Sequence, residues 1–147
     1  IIIDNEAGKF VFPQKVSERE PNMYLASNTP QVRISYNGKP FDLIFDTGNV
    51  KSDLGNKFAK TFPDAIDGLA EHVTSRGGFG GISQIKAVTL PNFCFEAAGS
   101  KVTLHNTEVI TNTGINSRLF AGSLGADFVS SFKRLTINYQ NMFIRGE

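Results

Sequence analysis

The sequence is poor in the residues that build disulfides, metal sites and membrane spans. It has no tryptophan and one cysteine, Cys94, which excludes an internal disulfide. Its two histidines, His72 and His105, lack a second ligand at metal-site spacing, so we expect neither a metal nor another cofactor. No apolar run reaches the roughly 20 residues of a membrane-spanning helix. The formal net charge of +1 gives no field that favours nucleic acid or an anionic membrane as a partner.

The length and the aromatic content favour one domain with a β-rich core. A chain of 147 residues is long enough for one such domain. Its 13 phenylalanines suit strands and need no hydrogen-bond partner when buried. Cys94 stands between Phe93 and Phe95, so we expect it to be a buried small hydrophobe. Because the chain begins at Ile1 without Met, we expect it to be a processed or excised piece of a longer protein. The compartment stays open, with an exported location, periplasmic or secreted, slightly favoured over a cytoplasmic one.

The clearest local pattern lies in residues 31–45. Apolar and polar residues alternate up to Asn37-Gly38, and an apolar run follows over residues 41–45. Two such segments joined by Asn-Gly predict a β-hairpin with a primed turn. The second strand runs directly into Asp46-Thr47-Gly48, which sets a carboxylate at the edge of a hydrophobic core.

A short helix is expected after this hairpin. Leu54, Phe58 and Phe62 recur every four residues, Asp53 precedes them as a helix cap, and Pro63 ends the pattern. Residues 82–96 predict two extended pieces separated near Pro91. Residues 119–132 repeat the order of strand, glycine loop with an aspartate and short helix, so the class is mainly β with at least two short helices.

Four glycines surround Phe79 in residues 74–82. This stretch is not a phosphate loop, because no Lys-Ser/Thr follows it and no G-x-G-x-x-G spacing is present. Glycines of this kind suit a hairpin tip where the backbone approaches a ligand closely, and they equally suit a solvent-exposed loop.

These motifs occur in an order that resembles the retropepsin-like aspartic proteases, above all their bacterial aspartyl-protease domains. Asp46-Thr47-Gly48 is followed by the glycine hairpin and then by residues 123–128, Ser-Leu-Gly-Ala-Asp-Phe. The resemblance implies a closed β-barrel lobe with one or two short helices and a flap hairpin. It assigns residues 23–147 to the protease domain and residues 1–22 to an N-terminal extension or linker.

The resemblance also implies roles for individual residues. Asp46 would be the catalytic aspartate, Thr47 would brace the catalytic pair, and Gly48 would form the tight turn. Asn49 departs from the Ala, Ser or Thr that is usual in the family at this position. Asp127 would be structural or a helix cap. The expected substrate-binding residues are Asn49 and the flap residues Gly77, Gly78, Phe79, Gly80 and Gly81.

One aspartate is not enough for this chemistry. An isolated aspartate has a pKa of about 3.9 and is a poor general base at neutral pH, whereas two adjacent aspartates share one proton. The sequence holds a single Asp-Thr-Gly, so a homodimer mate or another lobe of a longer chain must supply the second. We predict an aspartic endopeptidase that acts on peptides or proteins. The alternative is an inactive domain of the same fold, used for dimerisation or peptide binding.

Overall fold

The computed structural model describes residues 1–15, 19–78, 81–111 and 121–147, and this part of the chain is mainly β. The two helices are short: α1 (Asn56–Thr61) and α2 (Ala126–Ser130), with a 3₁₀ turn at Pro63–Ala65. The strands are β1 (Ile2–Asp4), β2 (Lys9–Val11), β3 (Met23–Ala26), β4 (Thr29–Tyr36), β5 (Lys39–Phe45), β6 (Asp53–Leu54), β7 (Glu71–Gly78), β8 (Gly81–Ala97), β9 (Ser100–Ile110), β10 (Gly122–Leu124), β11 (Arg134–Asn138) and β12 (Phe143–Gly146). The predicted fold class is confirmed.

Most of the strands belong to one sheet that closes on itself. Its order is β3-β4-β5-β10-β6-β9-β8-β7, and β4 also pairs with β8 through Ser35 and Glu96. This pairing joins β4, β5, β10, β6, β9 and β8 into a ring, with β3 and β7 outside it. The expected closed β-barrel is therefore confirmed.

The hairpin predicted over residues 31–45 is formed by β4 and β5. Tyr36 pairs with Lys39, and the turn residues Asn37 and Gly38 have φ angles of 51° and 73°. Positive φ at both positions is the requirement of a primed turn, which explains the Asn-Gly sequence.

Phe58 is the centre of an aromatic cluster that fills the barrel beneath α1. Its side chain is fully buried, and its ring lies 4.9–5.7 Å from the rings of Tyr36, Phe41, Phe62 and Phe93. Aromatic rings at these distances attract one another beyond the effect of their burial. The cluster holds α1 against the barrel, although the helix is too short to be stable alone.

The prediction that Asp53 caps this helix is wrong. Asp53 begins β6, which pairs with β10 on one side and β9 on the other. Helix α1 starts at Asn56, and its N-cap is Gly55, which has no side chain for capping. The four-residue spacing starting from Leu54 therefore runs from a strand into a helix.

The predicted break near Pro91 is also wrong, because β8 is one continuous strand. Its pairing with β9 includes Leu90 with Thr107 and Asn92 with His105, but no pair at Pro91 and Asn106 between them. Asn106 has a φ of 54°. A proline, which has no N–H to donate, is tolerated at such a local irregularity of the ladder.

Cys94 is exposed, contrary to the prediction that it is buried. Successive side chains of a strand point to opposite faces. Phe93 and Phe95 take the inner face and are almost fully buried, so Cys94 between them points outward.

A second sheet of four strands, in the order β12-β11-β1-β2, joins the two ends of the chain. Asn5 ties it to the end of α2, because its side-chain amide donates to the carbonyls of Val129 and Phe132 at 2.9 and 2.7 Å. This sheet therefore combines strands from residues 1–22 with strands from residues 23–147. The division of the chain into an N-terminal extension and a protease domain at residue 22 stays a prediction. No helix within the described residues has the length and hydropathy that a bilayer span requires.

Candidate active site

Asp46 stands where the buried strand β5 meets solvent. Phe45 is buried and Asp46 is exposed. The Asp46 N–H donates to the carbonyl of Leu124 at 3.0 Å, and the Asn49 N–H donates to the Asp46 carbonyl at 3.1 Å, which closes a tight turn. The Gly48 N–H donates to Oδ1 of Asp46 at 3.0 Å. These bonds orient the carboxylate on a fixed backbone.

The space at position 48 is tight. A Cβ atom there would lie 3.1 Å from Oδ1 of Asp46, which is tighter than ordinary contact. The predicted turn is confirmed, but its glycine has no positive φ. A side chain at this position would crowd the carboxylate.

The Asp46 loop, residues 46–50, is clamped by the segment that leads into α2. Strand β10 runs parallel to β5, with Leu124 paired to Phe45. At the next residue, Gly125, a Cβ atom would lie 2.7 Å from the Asn49 carbonyl oxygen. The Ala126 N–H donates to that same carbonyl at 2.8 Å. The start of α2 therefore presses directly against the loop.

Asp127, on α2, binds Ser52, which lies two residues after the Asp46 loop. This agrees with the structural role expected for Asp127. Its Oδ1 accepts from the Ser52 N–H at 2.8 Å, the Ser52 hydroxyl at 2.6 Å and the Phe128 N–H at 2.9 Å. Ser52 in turn accepts from the Gly125 N–H at 2.9 Å. Hydrogen bonds to a carboxylate are stronger than neutral ones, so this small network fixes α2 to the chain after the loop.

Asn49 is exposed, but its side-chain amide is hydrogen-bonded to another part of the chain. Its Nδ2 donates to the Ser123 hydroxyl at 3.0 Å, and that hydroxyl donates to Oδ1 of Asp53 at 3.0 Å. Ser123 and Asp53 are both buried. The amide that departs from the family pattern thus ties the loop to β10. A contact between Asn49 and substrate stays a prediction.

The rest of the loop faces solvent. Thr47 and Gly48 are exposed, and Val50 has 77% of its surface exposed. The bracing role of Thr47 stays a prediction.

The glycine hairpin is formed by β7 and the start of β8, which we call the flap hairpin. Its last described pairs are Gly77 with Ile82 and Gly78 with Gly81. Phe79 and Gly80 lie outside the described residues. Substrate contacts of the flap glycines stay predictions.

The base of the flap hairpin is held by a polar contact at Glu71. Lys86 Nζ lies 2.8 Å from Oε1 of Glu71, and the Thr111 hydroxyl donates to Oε2 at 2.8 Å. The hydrogen bond from Lys86 lowers the pKa of Glu71 most, and the hydrogen bond from Thr111 lowers it further. A carboxylate held in its charged form keeps this link intact at neutral pH.

A cleft of about 810 Å³ adjoins the Asp46 loop at Asn49 and Val50, and we call it the loop cleft. Four of its lining residues were not among the sequence predictions: Lys51, Ser75, Asn106 and Glu108. Lys51 directly follows the loop, whereas the other three come from separate segments. Glu108 reaches the loop through the pairing of β6 with β9, where Asp53 meets Glu108, and no local pattern predicts that pairing. The lining residues are Asn49, Val50, Lys51, Ser52, Asp53, Ser75, Asn106 and Glu108.

The two histidines lie on strands, each beside one polar group. His72 Nε2 is 3.4 Å from Oε1 of Glu108, and His105 Nδ1 is 2.8 Å from Oδ1 of Asn92. Within the described ranges, no three of the side chains that bind metals come together.

No protein-family model matches the sequence, and neither does any curated protein. Among solved structures, the chain is similar to EIAV protease in complex with the inhibitor HBY-793, with a TM-score of 0.47 and 17% identity over 73% of this chain and 90% of that one. It is similar to the retroviral protease-like domain of Ddi1 from Leishmania major, with a TM-score of 0.49 and 11% identity over 80% and 91% of the two chains. A protein of unknown function from Legionella pneumophila aligns with a TM-score of 0.37 and 10% identity over 76% and 86%. These are similarities of fold at low sequence identity.

Proposed function

We propose that this chain is one half of an aspartic endopeptidase, with Asp46 as one of two catalytic aspartates. The observation that carries the proposal is the exposed Asp46 carboxylate, held by the Gly48 N–H on a loop that α2 clamps. A purely structural aspartate is expected to face its partners inside the protein, as Asp127 does. Asp46 instead presents a fixed carboxylate to the outside.

The second aspartate comes from a second copy of the chain or from another lobe of a longer protein. Two carboxylates about 3 Å apart share one proton, the known behaviour of aspartic protease dyads. The charged partner takes a proton from a water that attacks the peptide carbonyl. The protonated partner donates to the carbonyl oxygen, which gives a tetrahedral intermediate. The aspartate that took the water proton then donates it to the leaving nitrogen, and the other aspartate takes a proton back from the intermediate as the C–N bond breaks. The pair titrates as a unit.

The exposed surface around Asp46 supports a partner at this place. Thr47, Gly48 and Val50 are exposed beside the acid, and Val50 is apolar. A C2 axis beside the loop brings the same residues of two copies together, so one loop sequence can supply both acids. The flap hairpin then covers a peptide held in extended form, with backbone hydrogen bonds like those of an added strand.

The first experiment replaces Asp46 by Asn. We expect peptide cleavage to fall at least about a thousandfold, since a two-lobe site loses one of its two acids and a homodimer loses both. Far-UV circular dichroism should be unchanged, because the amide oxygen still accepts from Gly48. Asp67→Asn, at an exposed loop position, is the matched control and should retain full activity. Equal cleavage by the parent and Asp46→Asn proteins refutes the catalytic assignment.

Mixing distinguishes a homodimer from a two-lobe chain. If two copies share the site, adding Asp46→Asn protein to the parent makes inactive mixed dimers, and activity falls with the square of the parent fraction. A linear fall indicates that each chain acts with a different partner lobe. A protein that binds peptides and dimerises but cleaves none of a peptide library at acidic or neutral pH is the inactive alternative.

A further inference from the structure

The loop cleft is polar, and most of its polar groups already have partners. The amide of Asn49 is bonded to Ser123, and the hydroxyl of Ser52 donates to Asp127. The carboxylate of Asp53 accepts from both the N–H and the hydroxyl of Ser123. These groups shape the wall of the cleft and are occupied in holding the loop.

Two charged side chains in the cleft have exposed head groups, and they differ in their surroundings. Glu108, on β9, lies 3.4 Å from His72, and 40% of its side chain is exposed. Lys51 is exposed and makes no ion pair with any residue in the described part of the chain. Among the described residues that line the cleft, Lys51 is therefore a cation without an ion pair, whereas the carboxylates of Asp53 and Glu108 already have partners in Ser123 and His72.

We propose that Lys51 makes the loop cleft a subsite for an acidic side chain of the peptide substrate. The inference rests on the proposed function, because it takes the peptide to lie across Asp46. An extended peptide advances about 3.3 Å per residue. Asp46 does not line the cleft, but Asn49 does, and the Asn49 N–H lies 3.1 Å from the Asp46 carbonyl oxygen. The acidic residue would therefore lie within a few positions of the bond that is cleaved. Aspartate or glutamate pairs with the ammonium of Lys51, and a lysine or arginine at the same position is repelled.

The test uses fluorogenic peptides that are identical except for Glu, Gln or Lys at each position near the cleaved bond. At one of these positions the parent protein should cleave the Glu peptide about two- to fivefold faster in kcat/KM than the Gln peptide, the range of an exposed ion pair. The preference should shrink in high salt, which screens exposed charges. Lys51→Gln should abolish it, and Lys51→Glu should reverse it in favour of the Lys peptide.

Lys60→Glu is the matched control, since Lys60 is an exposed lysine on α1 that does not line the cleft. It makes the same change of net charge and should leave the preference intact. If the parent and Lys51→Glu rank the three peptides alike, Lys51 is only a solvated surface lysine and the inference is wrong. It is equally wrong if Lys60→Glu shifts the ranking as much.

A binding arm separates this inference from the proposed function. Non-cleavable analogues of the Glu and Gln peptides, with the cleaved bond reduced to an amine, are titrated into the Asp46→Asn protein and followed by fluorescence anisotropy. Tighter binding of the Glu analogue that disappears in Lys51→Gln supports the subsite even if the protein never cleaves. Cleavage that requires Asp46 but shows no charge preference supports the proposed peptidase function and refutes the proposed subsite at Lys51. Equal or absent binding of both analogues also overturns it.

Discussion

Replacing Gly125 by Ala tests the close contact between α2 and the Asp46 loop. Gly125 has a φ of −95° and a ψ of −162°, which alanine adopts without strain, so the substitution acts through space alone. Its Cβ would lie 2.7 Å from the Asn49 carbonyl oxygen and 2.9 Å from the Lys51 carbonyl carbon. Ordinary contact needs a separation of at least 3.4 Å, so the loop must move away from α2.

The cost follows from this movement. Overpacking a tight site costs about 1–3 kcal/mol. Stretching the 2.8 Å bond from the Ala126 N–H to the Asn49 carbonyl removes about 1 kcal/mol more. The lower entropy of the unfolded alanine chain returns about 0.5–1 kcal/mol. We therefore expect a net loss of about 2 kcal/mol in the free energy of unfolding, or about 4–8 °C in Tm for a chain of this size.

The assay is urea unfolding followed by far-UV circular dichroism, together with hydrogen exchange of the Ala126 amide. The control is Gly68→Ala. Gly68 has a φ of 71° and open space around its Cα, so alanine there costs about 1 kcal/mol through backbone strain alone. Only Gly125→Ala should speed the exchange of the Ala126 amide. A Gly125→Ala protein as stable as the parent, with Ala126 still protected, would refute the close contact.

Two further predictions concern other fixed points of the fold. Ser123→Ala removes the hydroxyl that accepts from Asn49, so we expect a loss of about 1–3 kcal/mol in the free energy of unfolding and a lower kcat at nearly unchanged KM, with partial rescue by Ser123→Thr. The hydrogen bond from the Ala7 N–H, and next the hydrogen bond from Arg134, lower the pKa of Asp4 below its ordinary value of 3.8. Its stabilising effect is therefore full above that pH and is lost as the pH falls through the lower folded-state pKa, so the urea midpoint of Asp4→Asn should change less between pH 5 and 3 than that of the parent.

Local chemistry explains what could be predicted from the sequence. The hairpin over residues 31–45 depends on alternation and on Asn37-Gly38, all within one segment. The short helices were predicted from local patterns, whereas the closed barrel was implied by the resemblance of Asp46-Thr47-Gly48, the glycine hairpin and residues 123–128 to the retropepsin-like aspartic proteases. These features lie in short stretches whose residue types constrain the backbone directly.

The errors and omissions have a different origin. Asp53 has the appearance of a helix cap, but its carboxylate is fixed by Ser123, 70 positions along the chain. The lining of the loop cleft depends on the parallel pairing of β6 with β9, which brings Glu108 to Asp53. Cys94 was placed wrongly for a simpler reason, because alternation within a strand puts it on the face opposite its two neighbours. Contacts between segments that are distant in sequence produce no periodic pattern of residues in either segment.

The clamp on the Asp46 loop also bears on how the molecule matures. Ser52 and Asp127, whose bonds secure the loop, are 75 positions apart, so the acid is held in place only after the last fifth of the chain has folded. Contacts over such separations form slowly. A nascent or truncated chain that ends before residue 123 has Asp46 without its clamp. If the chain is the peptidase proposed above, removing or unfolding residues 123–128 should abolish cleavage even where the β4–β5 hairpin before Asp46 stays folded.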